Sequence, residues 1–270
     1  MAMKLTTGKR IAETSSKGNQ EKWREGGRWY KLDLFGYEGL AETVASRLLE
    51  HTNLRELGFS FVPYRMEQLE VHGRKRTGCS SPDFLREGEA ILTLAELFRK
   101  GVGTDWQAQV TRLPNLASRV RWMADTTRQL TGLDRFGEYL TALFEADMLF
   151  GNEDRHLNNI AVLRRDGGFA YCPFFDFGAG LLSNTRDFPL DIVPKALVGQ
   201  LRAHPLGTLF ARQVHAAQGE FGPQLRWDFT AADVAAALEE ALPYYPQRDR
   251  GLLRDRVEWC LKAQHKKLLS

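Results

Sequence analysis

Apolar residues come in short, partly alternating runs through the first third of the chain and at helical spacing afterwards, with the changeover near residue 88. In the first part Trp29-Tyr30-Lys31-Leu32 reads as an aromatic-rich strand, residues 59–71 as a second with Pro63 at its entry, and residues 75–80 as a third after Gly73. Residues 4–14 are polar and only weakly strand-like. One segment of this part is helical: over residues 39–50, Leu40, Val44 and Leu48 run beside Ala41, Ala45 and Leu49. In the second part helices are predicted over residues 89–100, 116–131 and, most strongly, 133–149, where Phe136, Leu140, Leu143, Phe144 and Met148 share a stripe. Further helices are expected at 195–203, 207–217, 230–242 and 249–268. The pattern predicts an α+β chain with a strand-rich lobe over residues 1–86 and a mostly helical lobe over residues 87–270, hinged at Ser81-Pro82-Asp83-Phe84-Leu85.

The polar residues that break this pattern carry the chemistry. Helix 133–149 runs into Gly151-Asn152-Glu153-Asp154-Arg155-His156-Leu157-Asn158-Asn159, and the apolar run that follows, Ile160 to Leu163, reads as a buried strand. Arg164-Arg165-Asp166-Gly167-Gly168 is a hairpin signal. Folding it brings Asp154, His156 and Asn159 to the same end of two strands as Asp176, within Phe174-Phe175-Asp176-Phe177-Gly178. A loop carboxylate such as Asp154 can orient a hydroxyl and accept its proton, while Asn159 and Asp176 offer the hard oxygens that magnesium shares with substrate phosphates. An Asp five residues before an Asn, followed at a distance by Asp-Phe-Gly, resembles the protein-kinase signature set, in which that Asn holds metal. An Asp alone commonly caps a turn; the joint pattern is far more specific. Asp147, one turn before Gly151, is placed to cap or orient the loop.

Three features of the first part belong with that site. Lys31 lies in an otherwise apolar strand, where a lysine is costly to bury without an anionic partner. Glu42, beside the stripe of the next helix, is the first candidate partner and Glu38 the second; either could equally be an exposed helix-start glutamate. The small polar run ahead of the strand makes Ser16, Lys17, Gly18, Asn19 and Gln20 candidate contacts to nucleotide phosphates, although one glycine among polar residues also reads as a plain turn. At the break between the lobes, Cys79 and Phe84 are candidate adenine-side contacts, with an ordinary loop before a helix as the alternative.

Asn152-x-Asp154-x-His156-x-x-Asn159, then a hairpin and Asp176, resembles the HipA-like serine/threonine kinases, a bacterial branch of the kinase fold that includes toxin kinases. Asp154-Arg155-His156-x-x-Asn159 with Asp-Phe-Gly is also similar to the phosphatidylinositol kinases. The resemblance implies a bilobal protein-kinase-like fold, ATP and Mg2+ as cofactors, a protein Ser/Thr hydroxyl as acceptor and an antitoxin protein as a candidate partner. It also implies that Lys31 pairs the phosphates and a helix glutamate, and that His156 holds the Asp-Phe-Gly backbone through hydrogen bonds. Some features depart from the family. Only about 14 residues precede Ser15, so the likeness is to the short members and covers residues 15–270. The lysine that relatives carry before the metal-binding Asn is Asn158 here, so one positive contact to the transferred phosphate is either missing or supplied by Arg155. Ser15 and Ser16 occupy the place where relatives are autophosphorylated, and an added charge of about −1.5 to −2 there is expected to compete with the phosphates of ATP. A lipid kinase is disfavoured because residues 181–198 offer only Arg186 and Lys195 to an inositol headgroup. A nucleotide-binding pseudokinase scaffold is disfavoured because every expected catalytic position is filled.

Composition narrows the setting. With 270 residues and 43% hydrophobic content the chain can bury a sizeable core in one large domain or two lobes. Cys79, Cys172 and Cys260 are odd in number and lack metal-ligand spacing, so reduced thiols in a cytoplasmic protein are expected. No apolar run approaches a membrane span, and no apolar signal core follows Met1-Ala2-Met3-Lys4, so neither spanning nor secretion by that route is expected. The net charge of +3, from 37 basic and 34 acidic residues, is too balanced to make nucleic acid the main partner. Arg74-Lys75-Arg76 and Lys266-Lys267 read as short solvated clusters, and no internal repeat or low-complexity tract is present.

Overall fold

In the computed structural model the described residues are 3–5, 10–11 and 22–268, so Ser15, Ser16, Lys17, Gly18, Asn19 and Gln20 lie outside them. The strand-rich part forms one six-stranded sheet from β1 (Met3–Leu5), β2 (Arg10–Ile11), β3 (Lys22–Glu25), β4 (Arg28–Leu32), β5 (Arg65–Val71) and β6 (Arg74–Pro82), in the order β1-β5-β6-β4-β3-β2. Only β1 and β5 pair in parallel; the other pairs are antiparallel. In this register Lys31 lies opposite Lys22 on one side and Cys79 on the other, so the three side chains share a face.

Helix α1 (Glu38–Leu49) is buried along nearly its whole length and packs on β5 and β6. Its first turn sits very close to β6, because a Cβ on Gly39 would lie 3.0 Å from the Gly78 carbonyl carbon. Gly78 has its own reason to lack a side chain: a Cβ there would lie 2.1 Å from the Lys31 carbonyl oxygen.

Two expectations shift here. Residues 59–62 stay out of the sheet; Phe61 bridges Phe174, and the Val62 N–H donates to the Phe174 carbonyl at 2.8 Å. Pro63 has no N–H to continue a ladder, and β5 starts only at Arg65. The third strand also runs further than expected, through Pro82.

The second part opens with a strand. Residues 90–93, expected within a helix, form β7 (Ala90–Thr93), which pairs with β8 (Ala161–Arg165) and through it with β9 (Gly168–Tyr171). α2 (Leu94–Gly101) starts where Thr93 Oγ1 accepts the Glu96 N–H at 3.2 Å, so the cap sets the boundary that periodicity blurred. The predicted hairpin is present, with Arg165 opposite Gly168 and Gly167 at φ +83°. After α3 (Trp106–Thr111), which the pattern did not signal, come α4 (Leu116–Thr131) and α5 (Phe136–Phe150). α5 is buried on all sides except at Glu138, as befits a helix at the centre of a core.

Five more elements follow: α6 (Pro194–Val198), α7 (Phe210–Phe221), α8 (Ala231–Ala241), a 3-10 turn (Leu242–Tyr244) and α9 (Gln247–Leu268). α6 is shorter than the expected 195–203. α8 returns to pack behind α1, where Arg47 Nε lies 2.8 Å from Glu240 Oε2. The Tyr245 hydroxyl donates to Asp33 Oδ2 at 2.6 Å, and the Thr77 hydroxyl donates to the Tyr244 carbonyl at 3.0 Å. One apolar cluster runs from Leu40 and Val44 through α5 to Leu261 and joins both parts. Among the described residues no helix is long and apolar enough to cross a membrane, and the three cysteines are unpaired and buried.

Candidate active site

Lys31 leaves β4 with only 8% of its surface exposed, and its ammonium is gripped from two sides. Nζ lies 2.8 Å from Glu42 Oε1 and 2.8 Å from Asp176 Oδ1, with the Tyr64 ring centroid 5.2 Å away. Glu42 is therefore the helix partner. Its other oxygen accepts the Phe177 N–H at 2.8 Å, which ties α1 to the Asp-Phe-Gly run. Glu38 has a different task, accepting the N–H groups of Phe35 at 2.7 Å and Gly36 at 3.1 Å ahead of α1. Neither is an exposed helix-start residue.

The charges in this cluster decide its protonation. Burial works against the Lys31 ammonium, but Asp176 and Glu42 outweigh it and hold the group well above its ordinary range. Burial also pushes Asp176 up, yet the charges of Lys31, Lys22 and Arg155 keep its carboxyl well below the usual carboxylate range. Glu42 is raised by burial, which Lys31 opposes and Asp176 reinforces. Asp176 is thus the anion that stays charged in the cleft. Its backbone sits at φ +63°, a left-handed conformation uncommon for a non-glycine residue. The neighbours hold it there: Asn152 Nδ2 donates to the Asp176 carbonyl at 3.3 Å, and Arg155 Nη1 donates to the Phe175 carbonyl at 2.7 Å.

The loop after α5 is organised by Asp147 and Arg155. Asp147 is buried; burial raises its carboxyl while Arg155 and Asn152 pull it back. Arg155 Nε lies 3.1 and 3.0 Å from its two oxygens, and Asn152 Nδ2 donates to it at 2.8 Å. The same guanidinium donates to the Asn159 carbonyl at 2.9 Å and lies 4.8 Å from the centre of the Phe177 ring. Two readings change as a result. Arg155 is 1% exposed, with Nε on Asp147 and Nη1 on two loop carbonyls, and only its buried Nη2 lacks a partner among the described residues, so it does not supply a charge to a transferred phosphate. The backbone around Asp176 is held by Arg155, Asn152 and Glu42, whereas His156 Nε2 lies 3.4 Å from Asp154 Oδ1.

Asn159 Nδ2 donates to the Asp154 carbonyl at 2.8 Å and to Asp154 Oδ2 at 3.3 Å. With the amide nitrogen committed, the Asn159 carboxamide oxygen and Asp176 Oδ2 have no partner among the described residues. A cleft of about 290 Å³ has Lys31, Glu42, Cys79, Asp154 and Asp176 in its wall. Cys79 sits opposite Lys31, its thiol raised well above the usual range by burial. Phe84 does not line this cleft; its ring is tilted against Phe175 with centroids 6.3 Å apart. Asn158 is exposed and borders a separate depression with Arg99 and Trp106.

Three residues in or near the site escaped sequence reasoning. Lys22 is visible only once β3 and β4 are in register, since nothing local marks it. Asp33 had a signal, a second charged residue two positions after Lys31; it lines the cleft, accepts the Gly39 N–H at 2.6 Å, and is pushed up to about 7 by burial, which the Tyr245 hydrogen bond opposes. His204 reaches the cleft from a turn about 50 residues beyond Asp154 in sequence and carried no local signal.

The segment after Gly178 is sewn to the loop before α1. Gly36 bridges Asn184, the Tyr37 N–H donates to the Ser183 carbonyl at 3.2 Å, and the Thr185 N–H donates to the Phe35 carbonyl at 3.0 Å. This approach needs glycine, since a Cβ on Gly36 would lie 2.0 Å from the Ser183 oxygen.

No family model and no curated protein matches the sequence. Among solved structures, the crystal structure of a Helicobacter pylori proinflammatory kinase, CtkA, superposes with a TM-score of 0.66 over 100% of this chain and 99% of that one, at 13% sequence identity. The likeness is one of fold and does not single out the HipA-like branch. The chain therefore has the bilobal, α+β kinase-like fold.

Proposed function

We propose that the chain is an ATP-dependent phosphotransferase, most specifically a HipA-like serine/threonine protein kinase acting in the cytoplasm. The observation that carries this reading is the double grip on Lys31 by Glu42 and Asp176, each at 2.8 Å, in the cleft that also holds Asp154. A buried ammonium with two acidic neighbours is poised to take phosphate oxygens of ATP while keeping its position.

The donor set suits magnesium. The free oxygens are a carboxylate (Asp176) and a carboxamide (Asn159), and among the described residues no group of three or more His, Cys, Asp or Glu could hold a metal by itself. That is the chemistry of an ion that completes its shell with substrate phosphates. Asp176 and Asn159 would hold the ion, and when bound it would neutralise charge on the transferring group. Asp154, held through its backbone and carboxylate by Asn159, accepts the hydrogen of the acceptor hydroxyl and aims its oxygen along the line of attack. The lobes divide at about residue 86 in this reading, and an antitoxin protein is the partner to seek. Ser15 and Ser16 are the candidate sites of inhibitory autophosphorylation.

The test is transfer of labelled phosphate from ATP to protein by the purified chain. Asp154→Asn and Asp176→Asn should each lower it at least about 100-fold, in line with about 10²–10⁴ for a positioned base, and leave the melting midpoint of Asp154→Asn unchanged. Wild-type rates in either variant would end the assignment.

A further inference from the structure

We infer that His204 is a substrate-positioning residue: its Nε2 accepts a hydrogen bond from the protein acceptor beside the hydroxyl that Asp154 orients. This inference rests on the phosphotransfer reading above. His204 belongs to a turn closed by the Ala203 N–H donating to the Thr208 carbonyl at 2.7 Å, with Gly207 at φ +61° inside it. Gln213 fastens the turn from α7, its Nε2 donating to the His204 carbonyl at 2.8 Å while its Oε1 accepts the Leu206 N–H at 3.3 Å.

The turn is docked on the catalytic loop at the residue next to Asp154. His204 Nδ1 lies 2.5 Å from the Glu153 carbonyl oxygen, and the Arg202 N–H donates to Glu153 Oε1 at 2.9 Å. A carbonyl oxygen can only accept, so Nδ1 carries a proton and, in the neutral ring, the lone pair is on Nε2. Nε2 has no partner among the described residues, and the ring is part of the cleft wall together with Asp154 and Asp187. The fixed half of the ring sets its orientation, and the residue belongs to the wall of the space an acceptor must enter. A loop-anchored imidazole with one committed nitrogen is how a site presents a single directed acceptor, here to an N–H or O–H of a peptide chain.

The test uses the full chain with labelled ATP and dephosphorylated casein as the acceptor. The amide nitrogen of asparagine falls close to the imidazole Nδ1, so His204→Asn keeps the bond to Glu153 and loses the Nε2 lone pair. It should raise the KM for casein about five- to tenfold, the scale of one lost hydrogen bond, with the KM for ATP, the rate of ATP hydrolysis and the melting midpoint unchanged. His204→Gln, which can place an oxygen near Nε2 while dropping the Glu153 bond, should restore part of the casein KM; a purely structural residue would give the opposite order. An unchanged casein KM in His204→Asn, or a parallel rise in the KM for ATP, overturns the inference and leaves the kinase reading intact. A wild type that hydrolyses ATP but does not phosphorylate casein overturns the protein-acceptor contact. One that neither hydrolyses ATP nor transfers phosphate overturns the underlying reading as well.

Discussion

Replacing Glu42 by alanine isolates the interaction on which the site depends. The side chain is 1% exposed and makes two charge-assisted contacts, to Lys31 Nζ and to the Phe177 N–H, each at 2.8 Å. Removing one partner of a buried ion pair costs about 3–5 kcal/mol, because the other charge stays buried. Here Asp176 still lies 2.8 Å from Lys31, so the low end applies, about 3 kcal/mol. At about 2–4 °C per kcal/mol for a domain of this size, the melting midpoint should fall by about 6–12 °C. The catalytic effect should be about as large as the structural one. Lys31 loses the contact that fixes its height above Asp176, and a misplacement of about 1 Å can cost about 100-fold in rate, or about 2.7 kcal/mol of transition-state stabilisation. Differential scanning fluorimetry and steady-state transfer from ATP, measured well below the lowered midpoint, separate the two effects. Glu42→Gln should fall between, since an amide can still accept from Phe177 but no longer neutralises Lys31. A Glu42→Ala protein with wild-type kcat/KM would show that the ion pair is incidental to activity.

Other outcomes follow from the same geometry. Arg155→Met leaves Asp147 buried without its counter-charge and should cost about 3–5 kcal/mol in chemical denaturation; Arg155→Lys should recover little of it, because an ammonium cannot span the Asp147 carboxylate and the two carbonyls together. Gly78→Ala places a Cβ 2.1 Å from the Lys31 carbonyl and should cost about 1–3 kcal/mol with a matching loss of ATP affinity by calorimetry. Asp33 is an acid raised to about 7, so the folded chain holds its proton more tightly than the unfolded one. Its contribution is full below the ordinary carboxylate range and is lost as pH rises to about 7. Asp33→Asn should therefore show a smaller decline in melting midpoint than wild type between about pH 4 and 7, and identical profiles would refute the assignment.

The polar loop after α5 and the Asp-Phe-Gly run were legible because they break strong periodicities: nine consecutive residues after the most apolar helix of the chain are polar or glycine apart from Leu157. Lys31 and Glu42 were legible for a related reason, as charges set in or beside apolar stripes. Boundaries fared worse where a cap or a ladder, rather than periodicity, decides them. Residues 89–100 looked helical throughout, yet Ala90 to Thr93 is claimed by β8 and the helix begins only at the Thr93 cap. Arg155 illustrates a different gap. Its place in the motif suggested an outward charge, but the deciding fact is that a carboxylate eight residues earlier, Asp147, is buried beneath it. Lys22 and His204 depend on strand register and on a distant turn, and no local pattern encodes either.

The packing of α8 behind α1 has a mechanical consequence. The helix that carries Glu42 is backed by α8, pinned at Arg47 to Glu240, and tied at its start by Tyr245, whose hydroxyl receives the Leu40 N–H at 3.2 Å and bonds Asp33. Withdrawing that helix from Lys31 would mean prising the C-terminal elements off the strand-rich lobe at the same time. If the cleft transfers phosphate, any throttle on it would have to work at its entrance, by blocking or admitting molecules, because the lever by which a rotating helix could disarm it is held at both ends.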